Sequence, residues 1–200
     1  MNYPLQKLHL IVEGDGDADA MPLLVKRILH HHELFHVSLT RPQISGDVNK
    51  SRKRFDDYLR YALKNQCPIL WILDCDDKQI GCPVKHVAHF RAAMQSMHIQ
   101  GVQPIEFSFF VQEFESLFLA EEDALRGYYQ LPLDLKIDPN TATRRDAKGE
   151  IAKLLPKTRG YKETIDQAKI AQRLDLTTCA RVSRDYRHFE SALLRLCTNP

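Results

Sequence analysis

Three acidic groups in this chain each follow a short apolar run. Glu13-Gly14-Asp15-Gly16-Asp17 comes after Leu8-His9-Leu10-Ile11-Val12, and Asp74-Cys75-Asp76-Asp77 comes after Ile69-Leu70-Trp71-Ile72-Leu73. Glu113 and Glu115 come after Phe107-Ser108-Phe109-Phe110-Val111. Carboxylates gathered in one place repel one another unless a cation holds them, and all-oxygen donors suit a hard ion. The chemistry implied is Mg²⁺-dependent, with Mn²⁺ as the alternative ion. Glu13, Asp74 and Asp76 are the central set, because the two acids of Asp-x-Asp on an extended strand end project to the same side. Two ions about 4 Å apart activate a water and stabilise the leaving oxygen of a phosphodiester. Gly14 and Gly16 let the backbone turn sharply and approach a phosphate. Glu113 is read as a further metal ligand or a helix cap, and Glu115 as a helix start.

A second set is cationic. Lys157, Arg159, Tyr161 and Lys162 lie close together in sequence. Lys157 and Lys162 could neutralise transition-state charge, and Arg159 and Lys162 could hold phosphate oxygens. A basic helix entrance is the competing reading. His30, His31, His32 and His36 fall at the end of an expected helix, where histidine suits the helix dipole. Consecutive residues point in different directions around a helix, so one metal could not use all three. The five cysteines, 67, 75, 82, 179 and 197, match no standard zinc spacing and read as reduced thiols.

The elements that must position these residues follow from periodicity. Short apolar runs that end abruptly in charge read as buried parallel strands whose carboxyl ends open into a site. Strands are predicted over about 6–12, 37–44, 68–73 and 104–111. Helices are predicted over about 19–31, 51–65 and 84–97, then near 113–120 and 121–129. The alternation predicts an α/β fold in three layers around a mainly parallel sheet, with Trp71 in its core. Residues 131–149 are polar, carry two prolines and read as a loop. Helices are predicted beyond it near 147–155, 161–174 and 185–197. The expected organisation is one α/β domain over 1–130 and a helical C-terminal extension over 131–200 packed on it.

The length of 200 residues suits one domain with an appendage. No apolar run is long enough to span a bilayer, and the N-terminus lacks the pattern of a signal peptide. A cytoplasmic location is therefore expected, with no membrane partner. Net charge is +2, unevenly spread. Residues 144–200 carry 13 Lys/Arg against 7 Asp/Glu, and residues 1–143 carry 15 against 19. An acidic front with a basic tail fits a polyanion such as nucleic acid.

Glu-Gly near the N-terminus, then Asp-x-Asp after an apolar strand some sixty residues on, resembles the TOPRIM fold of topoisomerases, bacterial primases and OLD-type nucleases. The segment "LHLIVEGDGDADAMPLLV" resembles the OLD-like version of the first motif, and that resemblance makes Asp17 a further metal ligand. "EFESLFLA" and "PKTRGYKETIDQAKIAQRLDL" look like a bacterial TOPRIM-like family of unknown function. Its members are often encoded beside ABC- or SMC-type ATPases in presumed phage-defence loci. The resemblance implies a Rossmann-like TOPRIM domain and a metal-dependent nuclease acting with an ATPase partner in anti-phage defence. Three readings compete. They are that nuclease, a non-catalytic TOPRIM module that docks on and regulates an ABC-type ATPase, and a phosphoacceptor receiver domain. Length, Glu-Gly and Asp-x-Asp weigh against the receiver. Either a monomer or a homo-oligomer is compatible with the sequence.

Overall fold

The computed structural model describes residues 7–75, 81–99, 103–143 and 145–198. Its strands are β1 (Lys7–Val12), β2 (Ser38–Leu39), β3 (Gln43–Ile44), β4 (Ile69–Asp74) and β5 (Ile105–Phe110). All described pairings are parallel, in the order β2-β1-β4-β5, with β3 also pairing with β1. The single strand predicted over 37–44 is instead two pieces. β2 pairs at Lys7 and Leu8, and β3 at Ile11 and Val12. Pro42 stands between them; it has no N–H to give a ladder and its ring fixes φ.

The helices are α1 (Asp15–His31), α2 (Val48–Lys53), α3 (Phe55–Ala62), α4 (Pro83–Ser96), α5 (Ser116–Ala120), α6 (Glu122–Tyr129), α7 (Ala147–Leu154), α8 (Glu163–Ala171), α9 (Leu176–Val182) and α10 (Arg184–Thr198). Successive strand residues face opposite sides, and each face of the sheet has its own core. Leu8, Leu10, Val12, Leu70, Ile72 and Phe110 pack with α1 and the helices after β5. Ile11, Ile69, Trp71, Leu73, Phe107 and Phe109 pack with Phe55 and Leu59 of α3 and Phe90 of α4. Helices on both faces of a parallel sheet make a three-layer α/β arrangement.

Helices depart from the predicted pattern in several places, and the one predicted over about 51–65 is two, α2 and α3, broken at Arg54. α1 begins four residues early, directly after Gly14, whose backbone is extended. The Gly14 N–H donates to Asp17 Oδ2 at 3.1 Å, so the acidic run forms a first helical turn rather than a loop. α9 occupies a stretch where no helix is predicted. Asp175 caps it, accepting from the Thr178 N–H at 2.6 Å. The C-terminal helices are well inside the structure. Ile170 of α8 and Tyr186, Phe189 and Leu193 of α10 are fully buried in the same core as Leu10 and Leu24.

Candidate active site at the sheet's switch point

The strand order fixes where a site can form. The chain leaves β1 through α1 toward β2, and leaves β4 through α4 toward β5, on the opposite side. The carboxyl ends of β1 and β4 therefore flank the point where the strand order reverses, where α/β sheets leave a crevice. Glu13 is the first residue past β1 and Asp74 the last of β4. The Asp74 N–H donates to Glu13 Oε2 at 3.2 Å, and Asp74 Oδ1 accepts the Phe114 N–H at 3.1 Å.

Two more carboxylates complete the cluster. Asp17, on the first turn of α1, is buried; its Oδ1 accepts from Gln167 Nε2 at 3.0 Å. Glu115, after β5, is fully buried. Its Oε1 accepts the Tyr161 hydroxyl at 2.8 Å and Gln167 Nε2 at 3.3 Å, and lies 3.9 Å from Lys148 Nζ. Glu115 Oε2 is buried with no hydrogen-bond partner among the described residues. Lys148 Nζ donates to Glu163 Oε2 at 2.8 Å, and the Lys148 N–H donates to Glu113 Oε2 at 3.1 Å.

The electrostatics are those of crowded acids around one cation. Burial, then the charges of Glu13, Asp17 and Glu115, holds the Asp74 carboxyl well above the usual range. Burial chiefly pushes Asp17 up to about 6, with Glu163 adding and Gln167 and Lys148 opposing. Burial also pushes Glu115 up to about 7 against the pull of Lys148 and the Tyr161 hydrogen bond. Burial works to lower Lys148, yet Glu115 and Glu163 carry its pKa above the ordinary lysine value.

The predicted site residues sort into three groups. Glu13, Asp17 and Asp74 come together. Glu113 adjoins them through the Lys148 backbone, and Asp76 lies outside the described residues. Gly14 stands at the start of α1, whereas Gly16 is buried under α8. A Cβ on Gly16 would stand 2.6 Å from Glu163 Cγ, so the glycine serves close helix packing here. Lys157, Arg159 and Lys162 are exposed in the stretch between α7 and α8. Arg159 lies over the Tyr129 ring at 4.6 Å and the Tyr128 ring at 5.6 Å. The Lys162 N–H donates to Asp166 Oδ2 at 2.7 Å. Of the histidines, His32 Nε2 contacts Glu190 Oε1 at 3.1 Å.

Sequence reading passes over Lys148, Glu163 and Gln167. Glu163 and Gln167 are four apart on α8 and so share one face, which is the signal that could have found them. Among the described residues, no group of three or more His, Cys, Asp or Glu side chains is placed to hold a metal ion, and no helix is long and apolar enough to cross a membrane.

No curated protein matches the sequence. Two of the solved structures similar in shape at low identity are C-terminal regions of OLD proteins. The C-terminal region of the Xanthomonas campestris pv. campestris OLD protein is 11% identical, with 94% of this chain and 95% of that one covered and a TM-score of 0.48. The C-terminal region of the Burkholderia pseudomallei OLD protein is 14% identical, with 96% and 98% covered and a TM-score of 0.47. The family described as a domain of unknown function, DUF4276, matches residues 12–194, and the chain belongs to that family.

Proposed function

We propose that this DUF4276 member is a divalent-metal-dependent phosphodiesterase, a nuclease of the OLD-like TOPRIM type, working with an ABC- or SMC-type ATPase in anti-phage defence. The observation that carries the reading is the meeting of Glu13 and Asp74 at the switch point, joined by the hydrogen bond from the Asp74 amide. The motif resemblance of Glu13-Gly14 and Asp74-Cys75-Asp76 to OLD-like TOPRIM proteins supports it.

The donor chemistry fits a hard cation. The clustered donors are carboxylate oxygens, neighbouring charges raise the proton affinity of Asp74, and Glu115 keeps a buried oxygen without a partner among the described residues. Glu13, Asp74 and Asp76 would hold Mg²⁺ or Mn²⁺, with Asp17 and Glu113 as further ligands. The bound ions would supply an activated water and stabilise the leaving oxygen. Lys148, tethered by Glu163 beside Glu115, brings an ammonium whose charge acts on Asp74. It is placed to offset charge that builds on a phosphate there. Tyr161 and Gln167 orient the Glu115 and Asp17 carboxylates by direct hydrogen bonds. The exposed Lys157, Arg159 and Lys162 supply positive charge for a nucleic-acid backbone.

The test is degradation of DNA and RNA by the purified chain with Mg²⁺ or Mn²⁺, alone and with an ABC-type ATPase. Wild type is expected to cleave, and Asp74→Ala and Glu13→Ala to lose about 100-fold or more while remaining folded. Full activity in Asp74→Ala refutes the site. A second reading is the non-catalytic module that regulates such an ATPase. An inactive wild type that still alters ATP turnover by its partner would establish it.

A further inference from the structure

Among the described residues β5 ends the sheet, and no strand pairs with its outer edge. The Ile69 amide takes the Pro104 carbonyl and the Cys75 amide takes the Phe110 carbonyl, so even-numbered backbone groups of β5 face β4. The odd-numbered groups face outward by the alternation of a strand. Asp185 caps the outermost of these, accepting the Val111 N–H at 2.7 Å. Phe107 and Phe109 face outward in the same way, with no backbone partner beyond β5 among the described residues.

This edge floors a groove of about 500 Å³ between α4 and α10. Its wall is apolar where Val84, 74% exposed, and Val111, 37% exposed, stand beside Phe107 and Phe109. Natural sheet edges are normally covered, bulged or charged. This one presents apolar surface beside backbone groups that have no partner among the described residues.

We propose that the groove docks an extended segment of a partner protein, which adds a strand to β5, lays alternate apolar side chains beside Val84 and Val111, and sets an acidic side chain against Arg184. The charge preference comes from the groove's rim. Arg195 is held by Glu106 in a bidentate pair at 2.9 and 3.0 Å, whereas Arg184 forms no ion pair among the described residues and donates only to His188. A single strand fits better than a second copy of this chain. Phe107 and Phe109 are only 9% and 6% exposed, so the edge lies below its flanking helices, and two equally recessed edges cannot reach strand spacing. Backbone pairing gives such a site affinity, and alternate side chains give it selectivity.

The groove carries its own reporter. Cys82 lines it and is half-buried, while Cys67, Cys75, Cys179 and Cys197 are buried. Backbone amides of Lys85 and Val84 hold the Cys82 thiol below its ordinary range, which favours alkylation. The experiment selects binders to the full chain from a displayed library of random heptapeptides, then measures the best peptide as a synthetic probe. Enriched sequences should alternate apolar residues around an acidic one, and saturating peptide should slow Cys82 alkylation by iodoacetamide about tenfold or more. Arg184→Glu and Val84→Glu, both at exposed positions, should each weaken the probe about tenfold. Selection on Arg184→Glu should shift enrichment toward basic peptides. A library that yields no binder overturns the proposal, and so do binders indifferent to both substitutions. A wild-type dimer in sedimentation with Cys82 already protected would assign the groove to a second copy and overturn it equally.

Discussion

Glu115 titrates on the wrong side of its ordinary value for a surface glutamate, and that has a consequence for stability. Burial lifts it from 4.5 to about 7. Between those values the folded chain keeps a proton that the unfolded chain has released, so stability falls as pH rises through the window. Asp17, lifted from 3.8 to about 6, contributes with the same sign at lower pH. The metal-free chain is therefore expected to unfold at lower urea concentration at pH 8 than at pH 5, with Glu115 contributing on the order of 3 kcal/mol. Glu115→Gln keeps an oxygen for the Tyr161 hydroxyl and removes the titration, so its urea midpoint should vary less with pH. Saturating Mg²⁺ should restore stability at pH 8 if it binds the folded state alone. An unchanged slope in the variant would show that Glu115 does not titrate in this window. Glu13 and Asp74 were legible because each ends an apolar run. Their surroundings were not, because Gln167 reaches Asp17 across 150 residues and Lys148 lies at the end of a polar stretch without periodicity.

At the scale of elements, the contact of α1 with α8 decides how the site closes. Gly16 on α1 is where the two helices touch, with Glu163 Cγ at 2.6 Å and Gln167 Oε1 at 2.7 Å from an ideal Cβ. Gly16→Ala improves helix propensity by about 1 kcal/mol, but overpacking costs about 1–3 kcal/mol. It also pushes on both α8 side chains that hold the site, Glu163 on Lys148 and Gln167 on Asp17. The expected result is a net loss of about 1–2 kcal/mol, a melting point lower by several degrees for a chain of this length. Gly127→Ala is the matched control. It lies in α6 with nothing within 4 Å of an ideal Cβ, and should stabilise by about 0.5–1 kcal/mol. Equal effects at the two positions would mean that α8 yields freely. Element boundaries were readable to within about one residue in β4 and β5, where an apolar run ends in charge. They failed at the N-terminus of α1, where a glycine precedes the helix and the capping carboxylate sits three residues inside it. They failed again at α9, whose signal was the lone cap Asp175.

At the scale of the molecule, the expected division near residue 130 separates two stretches of sequence that share one core. Tyr186, Phe189 and Leu193 of α10 and Ile170 of α8 are fully buried with Leu8, Leu10, Leu24 and Ile72. The shift of composition after Leu131 is a shift in surface character, and it says little about where a core ends. The basic tail likewise contributes Lys148 to the acidic cluster, so the charge asymmetry of the sequence becomes contact in the fold. Each large apolar side chain buried this way stabilises by about 1.5–3 kcal/mol, against a total of about 5–15 kcal/mol for a domain. Losing four of them, with the pairing of α1 to α8, removes most or all of that margin. A chain ended after residue 130 should therefore lack a cooperative thermal transition and near-UV dichroism, and should bind a dye for exposed apolar surface. Adding residues 131–200 as a separate polypeptide should restore the transition only if the two pieces associate. A sharp melting transition in the 1–130 piece alone would establish an independent α/β domain with the helical extension as an appendage. It would also show that the partners of Asp17 and Glu115 on α8 are dispensable for holding the strand ends of the site together.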